Sequence, residues 1–265
     1  MPFYKYKDHN IFYEDQGSGH CLFFVHEWNS SSLPFRKLNQ KYLIKKLRVV
    51  CLDLPGYGNS EFVEGLQFDD FSTIMTGLLD HLGIRKCSLM GFCLGSAIIL
   101  NFYRKFPERV RFLILIEPLL NFPMILIPLL IPRFGVTFLK YMSRNRFLFS
   151  LVGKQIIGKD KGVNNQVFRG IGRNNPKVSE HYLKLLFREN NHSMIRSPTM
   201  DIHKICICIS GRNTNNFFKK NAASILDHFN IRDSFVLNDT RHFALIERPV
   251  EISNIILNYL KNVNV

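Results

Sequence analysis

Short, continuous apolar runs alternate along this chain with longer stretches whose apolar positions recur every three to four residues. Residues 21–25 (Cys-Leu-Phe-Phe-Val), 48–52, 110–116 and 204–209 are such runs, and so is the stretch ending at Gly91. Runs without alternation predict strands covered on both faces, as in a parallel sheet. Residues 33–47, 69–83, 217–229 and 249–261 carry helical spacing, with Gly83 placed as a C-cap. A further helix follows Gly95 and ends near Phe106-Pro107, and 233–237 is the last strand. At the N-terminus, 3–7 and 11–15 read as two strands joined by a turn at Asp8-His9-Asn10. Strand–helix alternation predicts an α/β fold: a mostly parallel central sheet with helices on both faces.

Residues 118–200 interrupt this rhythm, so the chain divides into a core (1–117 and 201–265) and an inserted helical lid at 118–200. The insertion opens on an apolar run broken by Pro118, Pro123, Pro128 and Pro132. Repeated prolines exclude a membrane-spanning helix there and leave an apolar lid wall or a patch against a membrane surface. Plain packing against the core is the other reading.

A length of 265 residues suits one large α/β domain with an insertion, and 46% hydrophobic residues can build its core. The formal net charge of +14 is concentrated in one place: residues 133–196 hold thirteen Lys/Arg against three Asp/Glu. That segment includes Arg144, Arg146, Lys154, Lys159, Lys161, Arg169 and Arg173. Its partner is expected to be an anionic carrier or an anionic membrane surface, with a solvated basic face as the alternative. No nucleic-acid module is recognisable, so nucleic acid is not an expected partner. Cys21, Cys51, Cys87, Cys206 and Cys208 lie inside the apolar runs and read as buried reduced thiols, which fits a reducing, cytoplasmic setting. His203, Cys206 and Cys208 lack the second Cys/His pair of a zinc site. The first residues show no apolar segment of a signal peptide.

In a parallel sheet, chemistry gathers at the carboxyl ends of the strands. His26, Cys93, Glu117, Gly211 and His242 each fall just past a predicted strand. The run Gly91-Phe92-Cys93-Leu94-Gly95 has the layout of a sharp strand-to-helix turn, with Gly91 and Gly95 letting the two elements pass closely.

Four stretches in order resemble the α/β-hydrolase family over nearly the whole chain: His26-Glu27-Trp28, Asp53 to Ser60, Gly91 to Gly95, and Arg241 to Pro249. The resemblance implies a nucleophile–histidine–acid triad and an oxyanion hole beneath a lid. Cys93 would be the nucleophile and His242 the base; the backbone N–H groups of Trp28 and Leu94 would form the oxyanion hole. No metal or organic cofactor is needed for such chemistry. Three positions depart from the common pattern. Glu27 stands where Gly is usual. Cys93 replaces Ser, as in the elbows of dienelactone hydrolases and polyhydroxyalkanoate synthases. The loop Gly211-Arg212-Asn213-Thr214 lacks the usual acid. Certain haloalkane dehalogenases carry the acid after the strand that follows the elbow helix, which is the position of Glu117; the other reading of Glu117 is a surface residue before a proline. A cysteine at a helix N-terminus is expected to have a lowered thiol pKa. The function implied is cleavage of a small-molecule carboxylic ester or thioester through an acyl-cysteine. The alternatives are an acyltransferase of the same fold and a catalytically inactive binding protein.

Overall fold

The computed structural model describes residues 2–38, 42–153, 161–192, 202 and 205–262. Eight strands form one sheet in the order β1-β2-β4-β3-β5-β6-β7-β8. These are β1 (Phe3–Tyr6), β2 (His9–Gln16), β3 (Cys21–Val25), β4 (Arg48–Leu52), β5 (Cys87–Phe92), β6 (Val110–Ile116), β7 (Cys206–Gly211) and β8 (Asp233–Leu237). From β4 to β8 all neighbours are parallel, while β1 and β2 join one edge antiparallel. Every residue of β3 and β5 is buried, which is why β3 reads as an unbroken apolar run and β5 as one interrupted only by Ser88, whose hydroxyl pairs with His20 Nε2 at 2.8 Å.

The helices of the core are α1 (Leu33–Leu38), α2 (Phe68–His81), α3 (Leu94–Lys105), and, after β7, α8 (Asn216–His228), α9 (Ala244–Glu247) and α10 (Pro249–Asn262). Between β6 and β7 lie a 3-10 segment (Met124–Leu130) and the helices α4 (Phe134–Arg144), α5 (Arg146–Gly153), α6 (Lys161–Ile171) and α7 (Pro176–His192). Met142 and Leu139 bury one side of α4, which packs on the 3-10 segment and on α7.

Two expectations are corrected. The N-terminal turn is the two residues Lys7-Asp8, since Tyr6 pairs with His9; Lys7 takes the positive φ of 53° that so tight a turn demands. The helix expected over 33–47 is described only as Leu33–Leu38, with a turn over 44–46 and 39–41 outside the described residues. Phe35 before the gap and Leu43 and Leu47 after it are all buried, which accounts for the apolar spacing on the described residues. All six cysteines are free and buried. Burial pushes the Cys208 thiol up to about 12 and those of Cys51 and Cys206 well above the ordinary thiol range, so they are inert packing. His203 lies outside the described residues.

Candidate active site

Cys93 sits between β5 and α3 at φ 52°, ψ −112°, a backbone conformation that a non-glycine residue holds at a cost of about 1–3 kcal/mol. The surroundings enforce it. The Cys93 N–H donates to the Ile116 carbonyl at 2.9 Å, and its own carbonyl accepts from Leu119 N–H at 3.2 Å. A Cβ on Gly91 would lie 2.5 Å from the Gly95 carbonyl, and one on Gly95 would lie 2.1 Å from the Val25 oxygen. The two glycines therefore let β3, β5 and α3 meet backbone to backbone, and the turn projects the cysteine side chain past the sheet's carboxyl edge.

The thiol does not follow the helix-terminus expectation. Burial pushes its pKa well above the ordinary value, and the nearby Glu27 carboxyl pushes it further. The Leu94 N–H beside the sulfur opposes this without reversing it. Desolvation of a thiolate outweighs the partial charge of a helix end.

Glu117 follows β6 directly, buried and at φ 45°. Its carboxylate accepts hydrogen bonds from Gly211 N–H (2.5 Å) and the Thr214 hydroxyl (2.9 Å), and Oε2 lies 3.3 Å from His242 Nδ1. Glu117 is thus not the surface residue of the other reading. Gly211 can be nothing larger, because a Cβ there would lie 2.4 Å from the Thr240 carbonyl. The buried His242 ring stacks on Phe218 at 3.8 Å between centroids, with Phe92 and Phe243 also against it. Asp239, three residues before His242, is exposed.

The loop after β3 is held by His26. Its Nε2 accepts from Leu54 N–H at 2.9 Å, so the proton is on Nδ1, which donates to the Glu27 carbonyl at 2.7 Å. Burial lowers its pKa, consistent with this neutral form. Trp28 Nε1 donates to the Ser179 carbonyl of α7 at 3.0 Å, while its backbone N–H meets no backbone acceptor among the described residues. Asn29, at φ 61°, accepts from Asn174 Nδ2 and the Ser179 hydroxyl. Glu27 is buried, and desolvation raises its carboxyl to about 7, against the opposing pull of its own N–H and the Ser30 hydroxyl.

Cys93, His242, Glu27, Trp28 and Leu94 all line one cavity of about 550 Å³. Most of its other walls are apolar side chains, among them Leu126, Leu129, Phe138, Met142, Leu183 and Leu186 of the insertion and Phe217 and Ile246 of the core, and among the described residues no Lys or Arg lines it. Of the basic residues singled out in the sequence, Arg144, Arg146, Arg169 and Arg173 are exposed and away from this lining. Lys154 and Lys159 lie outside the described residues, as does the side chain of Lys161. Thr214 and the Gly211 N–H were not visible as site residues in the sequence. The signals were the place of Gly211 just past a strand and the missing acid in that loop, which these groups replace by holding Glu117 from the neighbouring strand.

A parallel sheet that gathers a strained cysteine and a carboxylate-bound histidine at one edge, beneath helices inserted between two of its strands, is the architecture of an α/β hydrolytic protein. The chain belongs to the alpha/beta hydrolase fold family, whose profile matches residues 12–159. Over 79 residues it is 40% identical to the dihydrolipoyllysine-residue acetyltransferase component of the acetoin cleaving system of Pseudomonas putida. That stretch is 29% of this chain and only 21% of the relative. The uncharacterized hydrolase YugF of Bacillus subtilis (strain 168) is 24% identical over 95% of this chain and 94% of its own. Among solved structures, one reported with the carboxylesterases of the thaumarchaeon Nitrososphaera gargenis superposes with a TM-score of 0.79 at 18% identity, covering 99% of both chains. At that identity the likeness speaks for the fold alone.

Proposed function

We propose that the protein is an ester- or thioester-cleaving hydrolase that works through Cys93, His242 and Glu117. The observation that carries this reading is a cysteine held at positive φ in the same cavity as a histidine whose Nδ1 faces a buried, doubly hydrogen-bonded carboxylate. Membership of the alpha/beta hydrolase fold family and the hydrolase relative support it.

In this mechanism the thiol is neutral at rest, because burial disfavours the thiolate. As Cys93 Sγ attacks the carbonyl carbon, its proton passes to His242 Nε2, and Glu117 holds the imidazolium through Nδ1. The carbonyl oxygen becomes an oxyanion between the Trp28 and Leu94 N–H groups. Collapse breaks the bond to the leaving alcohol or thiol, which takes the proton from His242. Water then attacks the acyl-cysteine and loses its proton to His242. The Sγ–carbon bond breaks, and the returning proton regenerates the thiol. With no cation in the lining among the described residues and mostly apolar walls, the acyl part held inside is uncharged and apolar. Acyl transfer is the second reading, favoured by how little polar surface surrounds Cys93 to hold a deacylating water.

The test is hydrolysis of p-nitrophenyl esters of increasing chain length by the intact protein and by Cys93→Ala, with mass mapping of any acyl adduct. The variant should lose at least about 10³-fold in kcat/KM and all labelling. Full activity in Cys93→Ala, or an adduct on another residue, would overturn the reading.

A further inference from the structure

Ten large apolar side chains are exposed among the described residues, and six of them fall within 124–147: Met124, Ile127, Ile131, Phe134, Tyr141 and Phe147. Phe147 is 79% exposed, Met124 65% and Tyr141 62%. A cluster of this kind marks an interaction surface rather than chance exposure. The segment has two faces. Leu126 and Leu129 line the cavity, whereas Ile127 and Pro128 face out; Met124 does both and so stands at the cavity mouth.

Helix α4 continues the surface. Gly135, Leu139 and Met142 are its buried side. Phe134 and Tyr141 are seven residues apart and share an exposed flank; helical geometry puts Lys140 and Arg144 on the side facing away from the core. Arg133 and Arg146 are exposed at its two ends. From Pro118 to Lys159 the chain has six Lys/Arg and no Asp/Glu, so these cations have no acidic neighbour in sequence. Among the described residues Arg133, Lys140 and Arg144 form no ion pair. Aromatic and aliphatic side chains rimmed by unpaired cations match a surface that is apolar below and negative above. No helix among the described residues is long and apolar enough to cross a membrane, so the segment suits lying on the surface.

We propose that residues 124–147 dock the protein on an anionic phospholipid surface, with Phe134, Tyr141 and Phe147 entering the acyl boundary and Lys140 and Arg144 meeting the headgroups. Met124 then places the cavity mouth against the lipid, and an ester dissolved there reaches Cys93 over continuous apolar surface. The docking stands on this surface alone; only the delivery of substrate rests on the reading of Cys93.

The experiment is co-sedimentation of the full chain with vesicles of phosphatidylcholine, with and without phosphatidylglycerol, at low and high salt. Binding is expected only with the anionic lipid and should weaken as salt rises. Lys140→Gln with Arg144→Gln should weaken it on the order of 30-fold, at about 1 kcal/mol per cation. Phe147→Ser should also release the protein. All these variants should keep their hydrolysis of a soluble short-chain ester, which shows that they are folded, and Cys93→Ala should still bind. Equal binding to neutral and anionic vesicles, no binding to either, unchanged binding by the variants, or retention on a soluble acidic polymer without vesicle binding would each overturn the proposal. A protein that docks but cleaves no ester would instead defeat the reading of Cys93.

Discussion

Glu27 is the residue that sets this site apart from a plain serine-type arrangement. A carboxyl buried in an apolar cavity resists ionisation, and its pKa rises from 4.5 to about 7. A group with a raised folded-state pKa stabilises the protein below its unfolded pKa, and that contribution is lost as pH climbs through the folded value. Between about pH 4.5 and 7 the folded chain therefore holds a proton that the unfolded chain has released. Above that range it carries a buried charge. Glu27→Gln removes the charge, so its melting temperature should exceed that of the parent increasingly from pH 5 to 8, by a stability on the order of 3 kcal/mol at the upper end. Its Cys93 should also be alkylated faster at pH 8, because the nearby negative charge that holds the thiol up is gone. A constant difference in melting temperature across that range would show that Glu27 does not titrate there.

Among the elements, the junction of β3, β5 and α3 carries the geometry. Gly95 packs against the Val25 carbonyl, which no side-chain rotation can relieve. Gly95→Ala is expected to cost about 3 kcal/mol or more, lowering the melting temperature by about 10 °C in a chain of this size. An unchanged melt would mean that the strands can separate more easily than their hydrogen bonds indicate. This junction was legible in the sequence because its requirement is local: an apolar run, then glycines two places either side of the turn residue. Glu117 was legible for a similar reason, lying directly after an apolar strand. The support of Glu117 was not legible. Gly211 and Thr214 reach it across 94 and 97 residues of chain, and a spacing pattern carries no information at that range. The thiol's direction was misread because a helix terminus is visible in sequence while the burial of one sulfur is not. The 3-10 segment Met124–Leu130 was hidden by Pro128 within it, which breaks helical periodicity without ending the turn.

At the scale of the molecule, sheet and insertion are tied together at the loop after β3. Trp28 and Asn29 belong to the core, yet their partners Ser179 and Asn174 are in α7 and just before it. The backbone that would receive the oxyanion is therefore braced from above as well as from below. The insertion cannot swing aside without releasing Asn29, and it cannot settle back without resetting it. The two are joined as a latch is to its keeper: any displacement of the insertion there would undo the hydrogen bonds that hold Asn29. Asn174→Ala leaves every reacting group in place and slackens only the latch. It should lower kcat between about tenfold and a hundredfold while changing KM little, as expected when a positioned donor drifts by a fraction of its bond length. Steady-state kinetics on a soluble ester would read this directly, and an unaltered kcat would show that the loop keeps its shape unaided. A loop pinned from both sides makes the insertion part of the scaffolding that shapes the cavity, and not merely a cover laid over it.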